Sequence, residues 1–520
     1  GSGNAEGGGG GGGQSLATRP GHAPAPLRAR SVPPLATVWD DDVEFVFDLM
    51  RSEELHQMLA VADASFSSTE EMKAVMISQE MRDYFAAIFA TDVAEEERPP
   101  SREDGVSSDV RQRLRAPQRN TLTGSSPMRR VAGKHVNAFR RTARRSLADI
   151  DTDTTSLLIS QLSTSALGES RLAAWKDMIV RGDDDFSVFD LGSEVADPLT
   201  FVAVVLFDFY KLNEHFGIGF ERMCAFCSAL GAGYKDSNSF HNSLHAADVT
   251  FGLHCLLHHS GAVELQGLEA MHLLALLFGA LVHDFRHPGV TNAYLIARSD
   301  PLALTYNDKS VLENYHAAEA FKLLQNASLN IFQAVDAKHL REVRALVVRM
   351  VLATDMSDHF AQVTELISSA PKELGAEHEP PKMERDRFLS VLMHTADVSH
   401  PFRQLEAHLH FSARIRDEFF AQGDLERKHG SDKVAAMFDR EQYGGESKFA
   451  AQQLGFIDAI IQPLLEALAG HLPQLRPRYL PKLEHAREYW AAVRDKGSTA
   501  GAAPELEVAP VPAPAAAPPR

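Results

Sequence analysis

An adjacent histidine and aspartate, His283 and Asp284, follow a mostly apolar run from Met271 to Val282. Imidazole nitrogen and carboxylate oxygen are ligands that zinc and related divalent metals accept. The run predicts a helix buried on nearly all sides, with the pair at its inner end, and His287 follows one turn later. Because chance supplies a His-Asp pair in many chains, a metal site also requires partners from elsewhere in the sequence.

Candidate partners lie on both sides of this pair. Upstream, His241, His245 and Asp248 stand at i, i+4 and i+7, which predicts one stripe of a helix with largely apolar neighbours. A single histidine there would usually be a satisfied core residue, but three buried ionisable groups need partners. Downstream, an apolar helix is predicted to carry Asp397 to its end, where Pro401 stops it. Two more polar segments, 306–316 and 352–357, contain Glu313 and Thr354.

The elements that must position these residues are predicted to be helices. Apolar residues recur with a period near 3.6 from about residue 171 to 495, and Gly, Pro, Asp and Asn mark the connections. The fold class is therefore predicted to be all-α, with a compact multi-helix catalytic domain, a helical N-terminal region and disordered tails. The predicted helices include 198–216, 220–230, 241–259, 267–283, 311–324, 338–353, 385–398, 404–420 and 448–469.

Composition bounds the function classes. The formal net charge of −18 argues against a general nucleic-acid binder, because phosphate backbones favour a basic surface. The Gly-rich start lacks the apolar segment of a secretory signal, and the run 271–282 is shorter than the roughly 20 residues of a membrane helix. With only three cysteines, a reducing, cytoplasmic setting is expected. Cys224 and Cys227 form a CxxC within a helical apolar pattern, which favours two core residues over a redox or zinc pair.

Five segments are predicted along the 520 residues. Residues 1–37 are rich in Gly and Pro and are expected to be disordered, 38–93 form a small helical segment, and 94–170 form a linker. Residues 171–495 form the main domain, and 496–520 are a Pro/Ala-rich disordered tail.

The linker contains a basic stretch at 111–146, with many Arg and no Asp or Glu from 111 to 145. One interpretation is a solvated linker. The other is a basic amphipathic helix that binds a regulatory partner, which could be calmodulin, an acidic membrane surface or the acidic catalytic domain itself.

Taken together, the ordered motifs resemble the HD-type class I cyclic-nucleotide phosphodiesterases over about residues 171–470. The resemblance is closest to the calmodulin-stimulated and cAMP-selective animal subfamilies. The strings that carry it are HNSLHAADV, HDFRHPGVTN, YNDKSVLEN, LATDMS, HTADVSHP and QLGFID. It implies metal-dependent hydrolysis of 3′,5′-cyclic nucleotides, cAMP, cGMP or both, to 5′-monophosphates.

The resemblance also implies two divalent metals, zinc with magnesium or manganese. The tighter metal would be held by His245, His283, Asp284 and Asp397, with Asp284 bridging to the second metal. His287, Glu313 and Thr354 would orient water around that second metal. Metal coordination lowers the pKa of water to about 7, which supplies a nucleophile at neutral pH.

The general acid and the substrate pocket are implied in the same way. His241 would protonate the leaving oxygen, and Glu418 would orient His241. Gln453 would read the purine, since an amide can donate and accept. The residues that would line the purine pocket are Phe456, Ile415, His400, Met356 and Phe419. Phe240 and His400 depart from the related subfamilies, which have Tyr and, in the cAMP-selective enzymes, Asn at these positions.

Two other functions share part of this pattern. Another HD-fold nucleotide phosphohydrolase would have the His-Asp ligands without His241, Glu418 and the Gln453 pocket. A cyclic-nucleotide-binding pseudoenzyme would have no use for a full metal-ligand set. The expected partner is therefore a cyclic nucleotide, with no nucleic acid and no transmembrane segment, and a homodimer is an open alternative to a monomer.

Overall fold

The structure is a computed structural model that describes residues 169–370, 383–431 and 434–498. All of the regular elements in these ranges are helical, which confirms the predicted all-α class. The predicted segments 1–37, 38–93 and most of 94–170, with the basic stretch at 111–146, lie outside the described residues. The same is true of nearly all of the predicted tail.

The first half of the domain consists of short and medium helices. They are α1 Glu169–Arg181, α2 Val188–Glu194, α3 Pro198–Phe209, α4 Leu212–Phe216, α5 Phe220–Gly231, α6 Ser243–Ser260, α7 Ala262–Leu265, α8 Ala270–Val282, α9 Asn292–Ala297, α10 Pro301–Tyr306 and α11 Val311–Leu323.

The second half contains the longest helices, α15 and α19. Its α-helices are α12 Ala337–Leu352, α13 His359–Ser369, α14 Arg385–Asp397, α15 Leu405–Lys428, α16 Arg440–Tyr443, α17 Glu446–Phe456, α18 Gln462–His471 and α19 Leu475–Ser498. Short 3₁₀ turns span Met356–Asp358, His400–Phe402 and Ala436–Phe438, and a π-helical turn spans Ile457–Ile461.

Helix α8 lies at the centre of the main hydrophobic core. Every residue from His272 to Val282 is buried, and the helix packs against α3, α6, α12 and α14. Burying each large aliphatic side chain contributes roughly 1.5–3 kcal/mol, so this helix is held firmly by its neighbours. It ends at the C-cap residue His283, as the apolar run predicted, and it therefore brings the His-Asp pair into the interior.

Helix α6 begins later than predicted. The side-chain oxygen of Asn242 accepts hydrogen bonds from the backbone N–H groups of Leu244 (3.0 Å) and His245 (3.4 Å), so Asn242 is the N-cap. His241 precedes this cap and lies outside the helix. The predicted stripe of His241, His245 and Asp248 on one helix is therefore wrong for His241.

Two predicted helices are interrupted for local reasons. The predicted helix 198–216 divides into α3 and α4, because Lys211 adopts a left-handed backbone conformation with φ 58°. The predicted helix 448–469 widens into the π-helical turn between α17 and α18. Pro463 lies two residues after this turn; its missing N–H and its ring prevent a regular α-helical bond to Ala459.

The cysteines and the membrane prediction can be assessed within the described residues. Cys224 and Cys227 are buried free thiols of the core, as predicted, and burial raises the pKa of Cys224 to about 11. No helix in the three described ranges combines the length and the apolar character that a membrane crossing needs.

Candidate metal centre and active site

Four predicted ligands converge where three helices meet. His245 comes from the first turn of α6, His283 and Asp284 follow α8, and Asp397 is the last residue of α14. One ligand atom from each lies within 4.8 Å of the other three. Two of the residues, His245 and His283, are buried, and both carboxylates are mostly covered.

The spacing of these atoms fits a metal ion. His245 Nε2 lies 3.0 Å from Asp397 Oδ1 and 3.4 Å from Asp284 Oδ2, and His283 Nε2 lies 3.2 Å from each of the same two oxygens. Ligands held at about 2.1 Å around a tetrahedral or octahedral ion stand roughly 3.0–3.4 Å apart, which is the same range. The residues could therefore hold a divalent metal.

The chemistry of the donor atoms agrees with the spacing. His283 Nδ1 lies 2.8 Å from the carbonyl oxygen of Ala280, so Nδ1 carries the proton and Nε2 presents a lone pair to the cluster. Burial lowers the pKa of His283, but Asp284 and Asp397 outweigh it and raise the pKa well above its usual value. The site therefore strongly favours a bound cation, whether a proton or a metal.

The second carboxylate oxygen of Asp284, Oδ1, faces a neighbouring cluster of histidines. Asp284 Oδ1 lies 3.7 Å from Nε2 of the buried His316. His316 Nδ1 donates to the carbonyl oxygen of Phe285 (2.7 Å), so Nε2 is an acceptor, and it has no hydrogen-bond partner. Two buried acceptors that face each other need a donor or a cation between them. Asp284, His287 and His316 form a second group able to hold a metal, and Asp284 belongs to both groups.

Of the three predicted water-orienting residues, His287 belongs to this second group, and Glu313 lies on α11 one turn before His316. The ring of His287 packs against that of His316 at 5.5 Å, and its Nδ1 accepts from Gly289 N at 3.0 Å. Glu313 accepts from the amide of Asn292 at 3.0 Å, and burial, with Asp355, raises the pKa of Glu313 to about 8. Thr354 is buried and donates to the carbonyl oxygen of Val351 at 2.8 Å. His316 and Asn292 were not predicted as site residues.

His241 and Glu418 form a hydrogen-bonded pair beside the cluster. Glu418 Oε1 contacts His241 Nδ1, and Glu418 Oε2 accepts from the backbone N–H groups of Phe240 (2.8 Å) and His241 (3.1 Å). The ring of His241 stacks on that of His287, with centroids 4.0 Å apart. The side chain of His241 is 21% exposed, whereas Glu418 is buried, so the ring of His241 retains access to solvent.

The electrostatics of this pair favour a proton on His241. Burial disfavours the charged ring, but Glu418, with help from Asp284 and Asp397, raises the pKa of His241 to about 9. Burial likewise opposes ionisation of Glu418, but the charge and hydrogen bond of His241 lower its pKa to about 2. Burial and His241 together hold the pKa of the stacked His287 well below its usual value. Both shifts favour a proton on His241, where a general acid needs it.

Four of the predicted substrate residues lie on two helices, Ile415 and Phe419 on α15 and Gln453 and Phe456 on α17. Gln453 is buried, and its Oε1 accepts from Ser412 Oγ at 3.1 Å. The rings of His400 and Phe456 lie nearly parallel with centroids 6.5 Å apart. Ile415, three residues after Ser412 on α15, is partly buried. The other two predicted lining residues pack on apolar neighbours, Phe419 on Phe438 at 5.0 Å and Met356 on the main core.

Three residues that were not predicted from the sequence, Ser412, His408 and Trp490, form a chain of hydrogen bonds that leads to Gln453. Trp490 Nε1 donates to His408 Nε2 at 2.7 Å, and His408 Nδ1 then lies 2.9 Å from His400 Nδ1 and 3.4 Å from Ser412 Oγ. Because Nε2 of His408 is an acceptor, its Nδ1 is the donor. The only sequence signal for this chain of hydrogen bonds was a polar serine and histidine within the apolar face of α15.

Asp248 lies on the same helix as the metal-ligand candidate His245, but it pairs with an arginine. It lies 3.5 Å from the guanidinium of Arg403, and both side chains are nearly inaccessible. The partner that a buried Asp248 requires is therefore a cation of the protein, and Asp248 is not part of the metal cluster.

Comparisons with known proteins place this arrangement in a family. The sequence pattern of the 3′5′-cyclic nucleotide phosphodiesterase family matches residues 240–481. The human dual specificity calcium/calmodulin-dependent 3′,5′-cyclic nucleotide phosphodiesterase 1B is 38% identical over 285 residues, 54% of this chain and 51% of that protein. The mouse 1C enzyme is 38% identical over 287 residues, which cover 54% of this chain and 38% of its own length. The chain thus spans about half the length, or less, of these curated relatives.

Solved structures agree. The phosphodiesterase domain of a rhodopsin–phosphodiesterase fusion protein from the choanoflagellate Salpingoeca rosetta is 30% identical, with a TM-score of 0.55, over 61% of this chain and 96% of that domain. Another structure of a phosphodiesterase domain from the same organism is 28% identical with a TM-score of 0.55, over 67% of this chain and 97% of that domain. Through this helical domain, the chain belongs to the 3′5′-cyclic nucleotide phosphodiesterase family.

Proposed function

We propose that this chain hydrolyses 3′,5′-cyclic nucleotides to 5′-nucleoside monophosphates. The observation that carries the proposal is the pairing of a protonated His241 with Glu418 directly beside the His/Asp cluster. A metal cluster alone would suit many hydrolases, whereas an adjacent imidazolium supplies the proton that a leaving alkoxide needs. The family relationship supports the same reaction.

His245, His283, Asp284 and Asp397 would hold the first divalent metal, and Asp284 would face the second through its other oxygen. Bound metals of this kind lower the pKa of water and offset negative charge on phosphoryl oxygens. We propose zinc for the first group, which has two imidazoles, and magnesium or manganese for the second. Metal analysis of the purified protein tests both assignments.

The chain's own residues carry the proton transfer. Water adds to phosphorus and releases one of its protons to solvent, while the bond between phosphorus and the 3′ oxygen breaks. The ring of His241 gives its proton to that oxygen and then regains a proton from solvent, to which it has access. Glu418 holds the ring through Nδ1, so the nitrogen that faces the substrate is Nε2. His287, Glu313 and Thr354 would orient water around the second metal.

Gln453 would read the purine, with Phe456, Ile415 and His400 around the ring and with Met356 and Phe419 at the edge of the pocket. Ser412, which holds the amide of Gln453, is a hydroxyl that can donate or accept. The amide can therefore be held in either orientation, one for adenine and one for guanine. We accordingly propose that both cAMP and cGMP are substrates.

The experiment is a side-by-side measurement of kcat/KM for 3′,5′-cAMP and 3′,5′-cGMP, with 2′,3′-cAMP as the matched control substrate. Both 3′,5′-nucleotides should give the 5′-monophosphate, and EDTA should abolish the reaction. Hydrolysis that persists after EDTA contradicts the metal mechanism. An inactive protein with both metal positions filled would support a binding protein that lacks catalysis.

Three broader predictions accompany this proposal. The basic stretch at 111–146 is proposed to bind a regulatory partner, which a peptide of residues 126–150 tests by binding to calmodulin, to acidic vesicles or to the catalytic domain. A homodimer is the proposed alternative to a monomer, and light scattering distinguishes the two. A cytoplasmic location is proposed and can be tested by imaging of a tagged protein.

A further inference from the structure

The loop that carries His241 is held by two side chains of α15 that lie one helical turn apart. Glu418 Oε2 accepts from the N–H groups of Phe240 and His241, and Arg414 Nη1 donates to the carbonyl oxygen of Ser239 at 3.3 Å. Residues i and i+4 of a helix lie on the same face, so the two side chains act together on three consecutive residues. Because His241 precedes the N-cap of α6, no helix of its own positions it.

The surroundings of Arg414 indicate that its main polar role is the hydrogen bond to the carbonyl oxygen of Ser239. Arg414 is partly buried, and burial lowers its pKa. Asp417 favours its charged form from a distance, but none of the ion pairs among the described residues includes Arg414, and its buried Nε has no hydrogen-bond partner. A guanidinium in such a position costs free energy unless its remaining contacts are valuable. Those contacts are the carbonyl oxygen of Ser239 and an aromatic ring.

That ring belongs to Phe189 on α2. The guanidinium of Arg414 lies 4.8 Å from the centroid of the ring, within the range of a cation–π interaction. Phe189 in turn packs against Phe411 at 4.7 Å and His410 at 5.0 Å, both on α15. Helix α2 lies before the family-matched residues 240–481, so the support for Arg414 comes from outside that region.

We propose that Arg414, supported by Phe189, is a positioning residue that holds the backbone of the 239–241 loop and thereby the ring of His241. The catalytic consequence rests on the proposed function, whereas the clamp on the loop does not. Arg414 does not touch the metal ligands in this arrangement; it acts only through the loop.

The first test is hydrogen–deuterium exchange of the peptide that contains Phe240 and His241. Arg414→Met keeps most of the apolar stem and removes one of the two side-chain donors to Ser239 O, the other being Asn242 Nδ2 at 3.3 Å. The loop amides should then exchange faster than in the parent protein. Arg416→Met is the matched control, because Arg416 is on the same helix, packs on the ring of Phe449 at 4.9 Å and makes no loop contact in this structure. Equal loop exchange in the two variants overturns the clamp, whether or not the protein is an active enzyme.

The second test is kinetic. Arg414→Met should lower kcat by about 10-fold with little change in KM, which is less than the roughly 10²-fold that a 1 Å misplacement of a catalytic group can cause. Arg414→Lys retains a donor and should recover part of the rate. In a His241→Ala background, Arg414→Met should have no further effect, because the group that it positions is gone.

A full additional loss in the His241→Ala background would show that Arg414 acts by another route and would overturn the proposal. If Arg414→Met does not fold, Phe189→Leu provides an independent variant that keeps the guanidinium and removes its aromatic support. It should change loop exchange and kcat in the same direction, and unchanged values for both would equally overturn the proposal. A parent protein that is inactive on cyclic nucleotides would refute the proposed function and leave the exchange result to decide the clamp.

Discussion

Replacement of Glu418 by Gln tests the electrostatic basis of the proposed acid. The substitution keeps the size of the side chain and removes its charge. The raised pKa of His241, about 9 against an ordinary 6.5, corresponds to about 3 kcal/mol in favour of the protonated ring. Without the carboxylate, burial is the largest remaining influence, and it lowers the pKa. Asp284 and Asp397 still raise it, but without Glu418 the pKa of His241 should fall from about 9 towards its ordinary 6.5.

This shift predicts a loss of activity that grows with pH, because the acid must be protonated to act. A ring with a pKa of about 9 is almost fully protonated at pH 7.5, whereas a ring with a pKa of 6.5 is protonated about one time in ten. Through this change of protonation alone, a fall to pKa 6.5 would leave activity nearly unchanged at pH 6, about 10-fold lower at pH 7.5 and about 80-fold lower at pH 8.5.

The hydrogen bonds add a loss that does not depend on pH. The carboxylate accepts from the ring and from two backbone N–H groups at once, with one oxygen for each side. A glutamine has one acceptor oxygen, so it cannot accept from the protonated ring and from the two backbone N–H groups at the same time. The pH-dependent values above are therefore lower limits on the total effect.

The assay is kcat/KM for cAMP from pH 5.5 to 9.5, with metal content measured for each protein. Glu426→Gln is the matched control. Glu426 lies on the same helix two turns after Glu418, is partly buried and accepts a hydrogen bond from Gln422. A Glu418→Gln profile that keeps the parent's basic limb, with a uniform loss at every pH, would refute the reasoning.

The remaining predictions concern metal binding, proton transfer, purine recognition and the stability of the core. Asp397→Ala should abolish activity and lower the metal content; full metal occupancy would remove Asp397 from the ligand set. His241→Ala should lower kcat by about 10²–10⁴-fold with the metal still bound, and normal turnover would exclude His241 as the acid. Ser412→Ala, which frees the amide of Gln453, should raise KM for both purines with little change in metal content, and unchanged KM values would contradict the pocket. Leu276→Ala in the centre of α8 should reduce the free energy of unfolding by about 2–5 kcal/mol in urea titrations; a cost below 1 kcal/mol would mean that the core relaxes around the cavity.

The sequence allowed the central part of this arrangement to be predicted because hydrophobic burial determines it. An apolar run as complete as that of α8 can only be a core helix, and its last turn must bring His283 and Asp284 inside. The prediction that His241 lies on α6 was wrong for a local reason. The helical spacing continues upstream of Asn242, but the side-chain oxygen of Asn242 accepts two backbone N–H groups, so the helix begins after it.

The contacts of the pocket were beyond sequence reasoning for a different reason. Trp490 and His408 are 82 positions apart, and Arg414 and Ser239 are 175 apart. Such pairs depend on how α15 and α19 pack on their neighbours. The apolar periodicity of a helix indicates which face is buried but not which residues that face contacts. The same holds for His316 and Asp284, which a helix and a turn of different origin bring face to face.

Two of the three helices at the metal cluster arrive by their carboxyl ends, α8 at His283 and α14 at Asp397. Each such end carries a partial negative charge of about one half, which adds to the two carboxylates. The proposed substrate, a cyclic nucleotide, is an anion, so we expect these groups to repel its phosphate until a cation is bound. The direction of these two helices therefore predicts that the cation binds before the nucleotide. Titration of the His241→Ala variant with cAMP should show measurable affinity in zinc and magnesium and a much weaker one after EDTA.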